Sequence, residues 1–494
     1  MKRQIKSLII TTIVFFIVIF VISSSYRKMQ YLADSLKGFF IEDSGPAGAD
    51  RITIIDPALK KDFVSPYAGS PPSLQLAGPF LFYRAAGDTT VRNIALEAIE
   101  YTRHLKAGPL EREIASINGI RGGFVARGRV IVIPNHQPAL VQDVSNKSRP
   151  GLFHVRGLYF SGGALGNGEI IRSMPLFRKA GINTIVFDVK DIPGIVTYKS
   201  SVPQVIAYDT HKHRSVDNLK EVLRILKING FYTVARIAVF RDHLLAETDP
   251  SLAIQSARGG VWNRGEKEIW CDPTNRKVQD YNIALAAELC SMGADEIQFD
   301  YIRFPTVGNQ SDARYRNDFG AMGKQSVIAH FLKRARREIS SRNALVSIDI
   351  FGVVAWGKEV DIRKTGQQIG MLASNCDVIS PMLYPSHFND DFDGFANPGD
   401  NPYYFIYNGC RRVIELSGKK AAVRPWLQAF KWRVSRYDSS YVIKQIQASD
   451  DSGAMGYLFW NAANNYGEVL EAMDMLQKAR AAGPGKASAE KRVN

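Results

Sequence analysis

The chain has 494 residues, 45% of them hydrophobic and 22% charged, with a formal net charge of +15. That composition excludes a mostly disordered chain, a collagen-like fibre and a protein of many membrane spans. Four cysteines (Cys271, Cys290, Cys376 and Cys410) are too few for a disulfide scaffold, and no Cys-x-x-Cys pair offers a structural metal site. The basic residues form no concentrated stripe of the kind that nucleic acid requires. The run Lys333-Arg334-Ala335-Arg336-Arg337 lies in a helical pattern and reads as a solvated face.

At the amino end, Lys2, Arg3 and Lys6 precede an apolar run from Leu8 to Ile22 that only Thr11 and Thr12 interrupt. A basic flank before an apolar stretch is an export signal. No Ala-x-Ala cleavage site follows, so residues 1–25 read as an uncleaved signal-anchor helix, with the body outside the cytoplasm and the membrane as a partner. Residues 26–80 read as a linker punctuated by Pro57, Pro66, Pro71, Pro72 and Pro79. Residues 483–494 read as a disordered tail.

Residues 81–134 carry a pattern of their own. An apolar strand ends near Tyr83, and Val91, Ile94, Ala95, Ala98 and Ile99 follow at helical spacing. A second helix carries Leu110, Ile114 and Ile117, and a last strand reads Val130-Ile131-Val132-Ile133. Through Gly87-Asp88-Thr89, Ile117-Asn118-Gly119 and the stretch Gly128 to Pro134, this segment resembles a LysM module. The resemblance implies binding of N-acetylglucosamine-containing glycans.

From residue 152 to 480, β-rich runs alternate with helical patterns. The runs are 154–162, 184–191, 232–240, 296–304, 345–352, 377–385, 421–430 and 453–462. Eight such units predict an α/β fold, a (β/α)8 TIM barrel, whose active site lies at the carboxyl ends of the strands. A doubly wound sheet is the competitor, but it rarely runs to eight regular units, and no Gly-x-Gly-x-x-Gly turn follows the first strand here.

Side chains alternate along a strand. Alternation puts Asp188 with Lys190 on one face of the second strand, Gln298 with Asp300 on the fourth, and Ser347 with Asp349 on the fifth. Arg236 comes from the third strand, and Arg424, Trp426 and Gln428 from the seventh. Buried carboxylates are costly unless paired or functional. Glycoside hydrolysis needs two carboxyl groups across the scissile bond. Asp300, Asp349 and Asp188 are therefore the catalytic candidates. Arg236, Gln298, Tyr301, Arg303, Tyr384, His387, Arg424, Trp426, Gln428, Trp460 and Asn461 are the candidates for holding the sugar. Nothing in the pattern asks for a cofactor or a metal.

The stretches from Asp295 to Pro305, from Val186 to Asp191, from Asp349 to Gly352, from Ser380 to His387 and from Arg424 to Gln428 resemble a glycosyl hydrolase domain family. It is a group of TIM barrels related to α-amylase-like hydrolases. The resemblance implies a nucleophile at the strand-four position of Asp300 and an acid on strand five, where Asp349 stands in place of Glu; Asp188 is the other choice for the second carboxylate. The expected function is an envelope-anchored hydrolase of a cell-wall or extracellular polysaccharide, or of a peptidoglycan-type glycan. The alternative is a glycan-binding or wall-tethering barrel without turnover. Nucleic acid is not an expected partner.

Overall fold

A computed structural model of the protein describes residues 40–42, 52–54, 73–77, 80–135, 148–263, 269–317, 319 and 323–481. The expected anchor and tail, and most of the expected linker, lie outside them. Among the described residues no helix is long and apolar enough to cross a membrane. The chain divides into two compact units, Met1–Ala98 with Ala107–His136 and Ile99–Lys106 with Gln137–Asn494.

In the first unit, β1 (Leu74–Ala77), β2 (Phe80–Arg84), β3 (Thr89–Thr90), α1 (Val91–Ala98), α2 (Ala107–Ile117), β4 (Phe124–Val125) and β5 (Val130–Ile133) follow in order. β1, β2 and β5 form an antiparallel sheet, with Leu81 opposite Ile133 and Tyr83 opposite Ile131. Ile94, Ala95 and Ala98 on α1, and Leu110 and Ile114 on α2, recur at helical spacing and are buried. Asn118 ties α2 to β5. Its Nδ2 donates to the carbonyls of Ile114 (2.8 Å) and Val132 (2.9 Å), and its Oδ1 accepts from the Val132 N–H at 2.8 Å. The stretch expected as linker holds β1 and a short antiparallel pair, Phe40–Glu42 with Ile52–Ile54. Proline and glycine punctuate turns between short strands as readily as they punctuate coil.

The second unit is a closed parallel barrel with helices between its strands. The strands are β6 (Val155–Phe160), β7 (Thr184–Lys190), β8 (Tyr232–Ala238), β9 (Glu296–Asp300), β10 (Leu345–Phe351), β11 (Val378–Met382), β12 (Ala422–Val423), β13 (Trp426–Gln428) and β14 (Gly456–Trp460). Neighbours run β10-β9-β8-β7-β6-β14-β13-β11, and β10 pairs with β11 to close the ring. β12 and β13 share the seventh position. Pro425 between them has no N–H to give to the ladder. The longest intervening helices are α3 (Glu169–Lys179), α4 (Leu219–Ile228), α5 (Arg276–Ser291), α6 (Lys324–Ser340), α7 (Pro402–Leu416), α8 (Ser439–Ser452) and α9 (Gly467–Ala481). This is the predicted (β/α)8 barrel.

Two apolar layers follow from strand alternation. The larger fills the space between strands and helices. The smaller lies inside the ring and comprises Val155, Tyr159, Val186, Val234, Tyr384, Trp426 and Leu458. Gly157 has a packing reason: a Cβ there would stand 2.4 Å from Leu458 Cδ2. The four cysteines are buried and free.

Candidate active site

Asp188 on β7, Arg236 on β8, Asp300 at the end of β9 and Asp349 on β10 come from four consecutive barrel strands. Alternation turns all four inward, and they meet. Arg236 Nη1 lies 2.5 Å from Asp188 Oδ1, its Nη2 contacts Asp300 Oδ2, and its Nε lies 3.5 Å from Asp349 Oδ2. Each carboxyl has a second anchor on its other oxygen. The Tyr159 hydroxyl donates to Asp188 Oδ2 at 2.5 Å, the Tyr301 N–H to Asp300 Oδ1 at 2.5 Å, and Trp426 Nε1 to Asp349 Oδ1 at 2.7 Å. Tyr301 has a φ of 53°, in the left-handed region. A non-glycine residue held there is strained, and such strain collects at functional sites.

The three carboxyls are 5%, 3% and 1% exposed in the order Asp188, Asp300, Asp349. One guanidinium faces all of them, so they cannot all ionise cheaply. Burial, then repulsion from Asp300, pushes the Asp349 carboxyl well above the ordinary carboxylate range, against the weaker pull of Arg236 and Trp426. Burial also raises Asp188, opposed by Arg236 and Tyr159. Asp349 Oδ2 has no hydrogen-bond partner and faces Arg236 Nε at 3.5 Å. The raised carboxyl of Asp349 thus stands beside that of Asp300 on one shared guanidinium.

Of the other predicted residues, some line this centre. Trp426 and Tyr384 are buried, with Tyr384 rings 5.8 Å from Trp460 and 5.1 Å from His387. Arg303 is stacked against Trp270 and Phe351, each at 4.9 Å, and against Tyr301 at 5.5 Å.

Other predicted residues serve the scaffold. Arg424 does not reach the cluster. Its Nη1 lies 2.9 Å from Oε1 of Glu296, the first residue of β9, four residues before Asp300 and toward the opposite end of the barrel. Gln428 accepts from Ser386 Oγ at 2.9 Å and donates to the Phe430 carbonyl at 2.9 Å, bracing two loops. Asn461 donates to the Ala429 carbonyl and accepts from the Ala463 N–H. Gln298 lies one layer below Asp300, with its Nε2 3.4 Å from Ser380 Oγ. Lys190 does not share the face of Asp188. A bulge between Arg236 and Ile237 shifts the register, and Lys190 Nζ pairs with Asp242 at 2.7 Å, fully buried.

A groove of about 630 Å3 also exists at the opposite end of the barrel, lined by Leu152, Leu345, Asp377, Lys420 and Met455 among others. It brings no two carboxyls together, and barrel chemistry belongs to the carboxyl ends of the strands. The cluster around Arg236 is the better site.

Residues 157–466 match the family model described as "Putative glycosyl hydrolase domain". The chain belongs to this family. No curated protein matches it. A hypothetical protein from Ruminiclostridium thermocellum ATCC 27405 is 31% identical, over 39% of this chain and 96% of that one, with a TM-score of 0.35. The PgaB (BpsB) glycoside hydrolase domain from Bordetella bronchiseptica is 14% identical, over 65% and 98%, with a TM-score of 0.48. The β-amylase catalytic domain from Paenibacillus polymyxa is 10% identical, over 67% and 100%, with a TM-score of 0.43.

In this glycosyl hydrolase domain, sequence reasoning missed two groups. Tyr159 anchors Asp188, and the signal for it was available, because alternation places it inward beside Gly157. Phe430 and Trp432 follow β13 at the rim. Their rings lie 5.7 and 4.9 Å from that of His387. They sit in irregular chain, where no periodicity marks a face.

Proposed function

We propose that the protein is a glycoside hydrolase in which Asp349 is the general acid and Asp300 the nucleophile or base. The observation that carries this reading is one buried guanidinium shared by Asp300 and Asp349, with burial and Asp300 raising the carboxyl of Asp349 above its ordinary range. Cleavage of a glycosidic bond needs a proton for the leaving oxygen and a carboxylate for the anomeric centre or its water. Asp349 supplies the first, passing its proton to the leaving oxygen. Asp300, with donors on both oxygens, supplies the second. Asp188 and Tyr159 hold Arg236 in place, and Tyr384 and Trp460 offer ring faces to the sugar.

We further propose a substrate in the cell envelope or outside it. The basic flank and apolar run over residues 1–25 support an anchored protein with its body outside the cytoplasm. The LysM-like pattern over residues 81–134 supports a wall glycan as target, with that segment and the barrel over 152–480 as separate domains. The test is release of reducing ends by the full chain from a panel of wall, exopolysaccharide and storage glycans. Release from at least one supports hydrolysis. Binding without release favours the second reading, a glycan-binding barrel, which the near-complete burial of the three carboxyls also fits.

A further inference from the structure

The rings at the carboxyl end of the barrel form a continuous row. Tyr159, which touches Asp188, lies 6.2 Å from Trp460; Trp460 lies 5.8 Å from Tyr384; Tyr384 lies 5.1 Å from His387; and His387 lies 4.9 Å from Trp432. Tyr159 and Tyr384 are buried, Trp460 between them is half-buried, and Trp432 at the rim is 47% exposed. An isolated exposed aromatic is ordinary. Trp432 differs because the chain around it is held. Arg433 beside it has a φ of 46°. Its Nη1 donates to the carbonyls of Ser386 (3.1 Å) and Phe388 (3.2 Å), and its Nη2 bonds Asp390. The Arg433 carbonyl also packs where a side chain at Gly399 would be, 2.0 Å from the Cβ position. These contacts fix the loop after β13 against the loop after β11. Burial and Arg433 lower the His387 imidazole from its ordinary value, and its ring is tilted against that of Trp432.

We propose that Trp432 and His387 form an outer sugar subsite, one that takes a pyranose ring of the same glycan chain beyond the bond at the carboxyls. The C–H face of a pyranose is apolar and carries partial positive charge, which complements the negative face of an indole. A rigid ring at the rim binds such a unit with little loss of side-chain entropy. The row of rings leads from this platform to the carboxyl cluster at Asp188, so a chain of several units fits and a short fragment leaves the platform empty. This proposal rests on the glycan reading above and specifies it: the substrate is a polymer, held on the side of β11, β13 and β14.

The experiment is calorimetric titration of the full chain with two-unit and six-unit fragments of chitin, cellulose and amylose. Wild type, Trp432→Ala and Trp432→Phe are compared, with reducing-end release followed in parallel. Wild type binds a hexasaccharide more tightly than its disaccharide. Trp432→Ala loses about tenfold on the hexasaccharide alone, about 1.4 kcal/mol, and Trp432→Phe recovers most of it. Equal hexasaccharide affinity in wild type and Trp432→Ala overturns the subsite. An equal loss on disaccharide and hexasaccharide overturns it too, as does wild type that binds none of the probes. Binding that follows the expected pattern without release of reducing ends contradicts hydrolysis and leaves the subsite standing.

Discussion

Arg236 determines what its neighbours can do. A guanidinium cannot be discharged in a protein, so it supplies one fixed positive charge for three carboxyls. Asp188 and Asp300 take its terminal nitrogens, and Asp349 is left at 3.5 Å from Nε. At that distance the pull of Arg236 is outweighed by burial and by repulsion from Asp300, so the Asp349 carboxyl is raised. The sign of the consequence follows by linkage. Asp349 in the unfolded chain ionises near about 3.9. In the fold it ionises at a much higher pH. Between those values the folded state binds more protons than the unfolded one, so this group lowers stability as pH rises through that window. Asp349→Asn cannot titrate, and its melting temperature should fall less with rising pH than that of wild type. The same variant should lose turnover on natural glycans by orders of magnitude yet keep much of it on dinitrophenyl glycosides, whose leaving group needs no proton. Equal losses on both substrates would remove Asp349 from the acid role.

At the scale of elements, the site is an intersection of strand ends. The ends of β10 and β11 approach closely at Gly352, where a Cβ would meet the Met382 carbonyl at 2.3 Å. Asp349 precedes that contact and Tyr384 follows it. Gly352→Ala should cost about 1–3 kcal/mol through overpacking, read by denaturant titration, and should lower turnover beyond the unfolded fraction. Stability and turnover at wild-type levels would show that the contact relaxes freely. Alternation along strands was enough to bring Asp188, Arg236, Asp300 and Asp349 to one face from sequence. It failed at Lys190, because a one-residue bulge reverses every side chain after it. It also failed for Arg424, since alternation specifies a face but not a height. Arg424 is inward and pairs with Glu296 at the far end of the barrel, with both side chains essentially buried. Height becomes legible only once the register between strands is known.

For the whole molecule, the eight repeats were legible because each strand is short, apolar and bounded by turn residues. The split seventh strand was not, since Pro425 interrupts a run that reads as continuous. Trp432 was hidden for a related reason: it stands in a loop held by Arg433 and the packing around Gly399, contacts distant in sequence. The amino-terminal run, residues 1–25, gives a prediction independent of the site. Expressed without it, the chain should leave the membrane fraction for the soluble one, as that run is the only long apolar stretch in the sequence. A truncated chain that still pellets with membranes after a high-salt wash would place the attachment elsewhere.

The role proposed for Asp300, action on the glycosidic bond rather than mere neutralisation of Arg236, is tested by one substitution. Asp300→Asn keeps the volume and removes the charge. On a glycan that wild type hydrolyses, the variant should show reducing-end release lowered by orders of magnitude, with glycan affinity and melting temperature near those of wild type. A pure ion-pair role predicts the reverse, a loss of about 3–5 kcal/mol of stability from a buried arginine left short of a partner. A stable Asp300→Asn protein with undiminished turnover would contradict the claim.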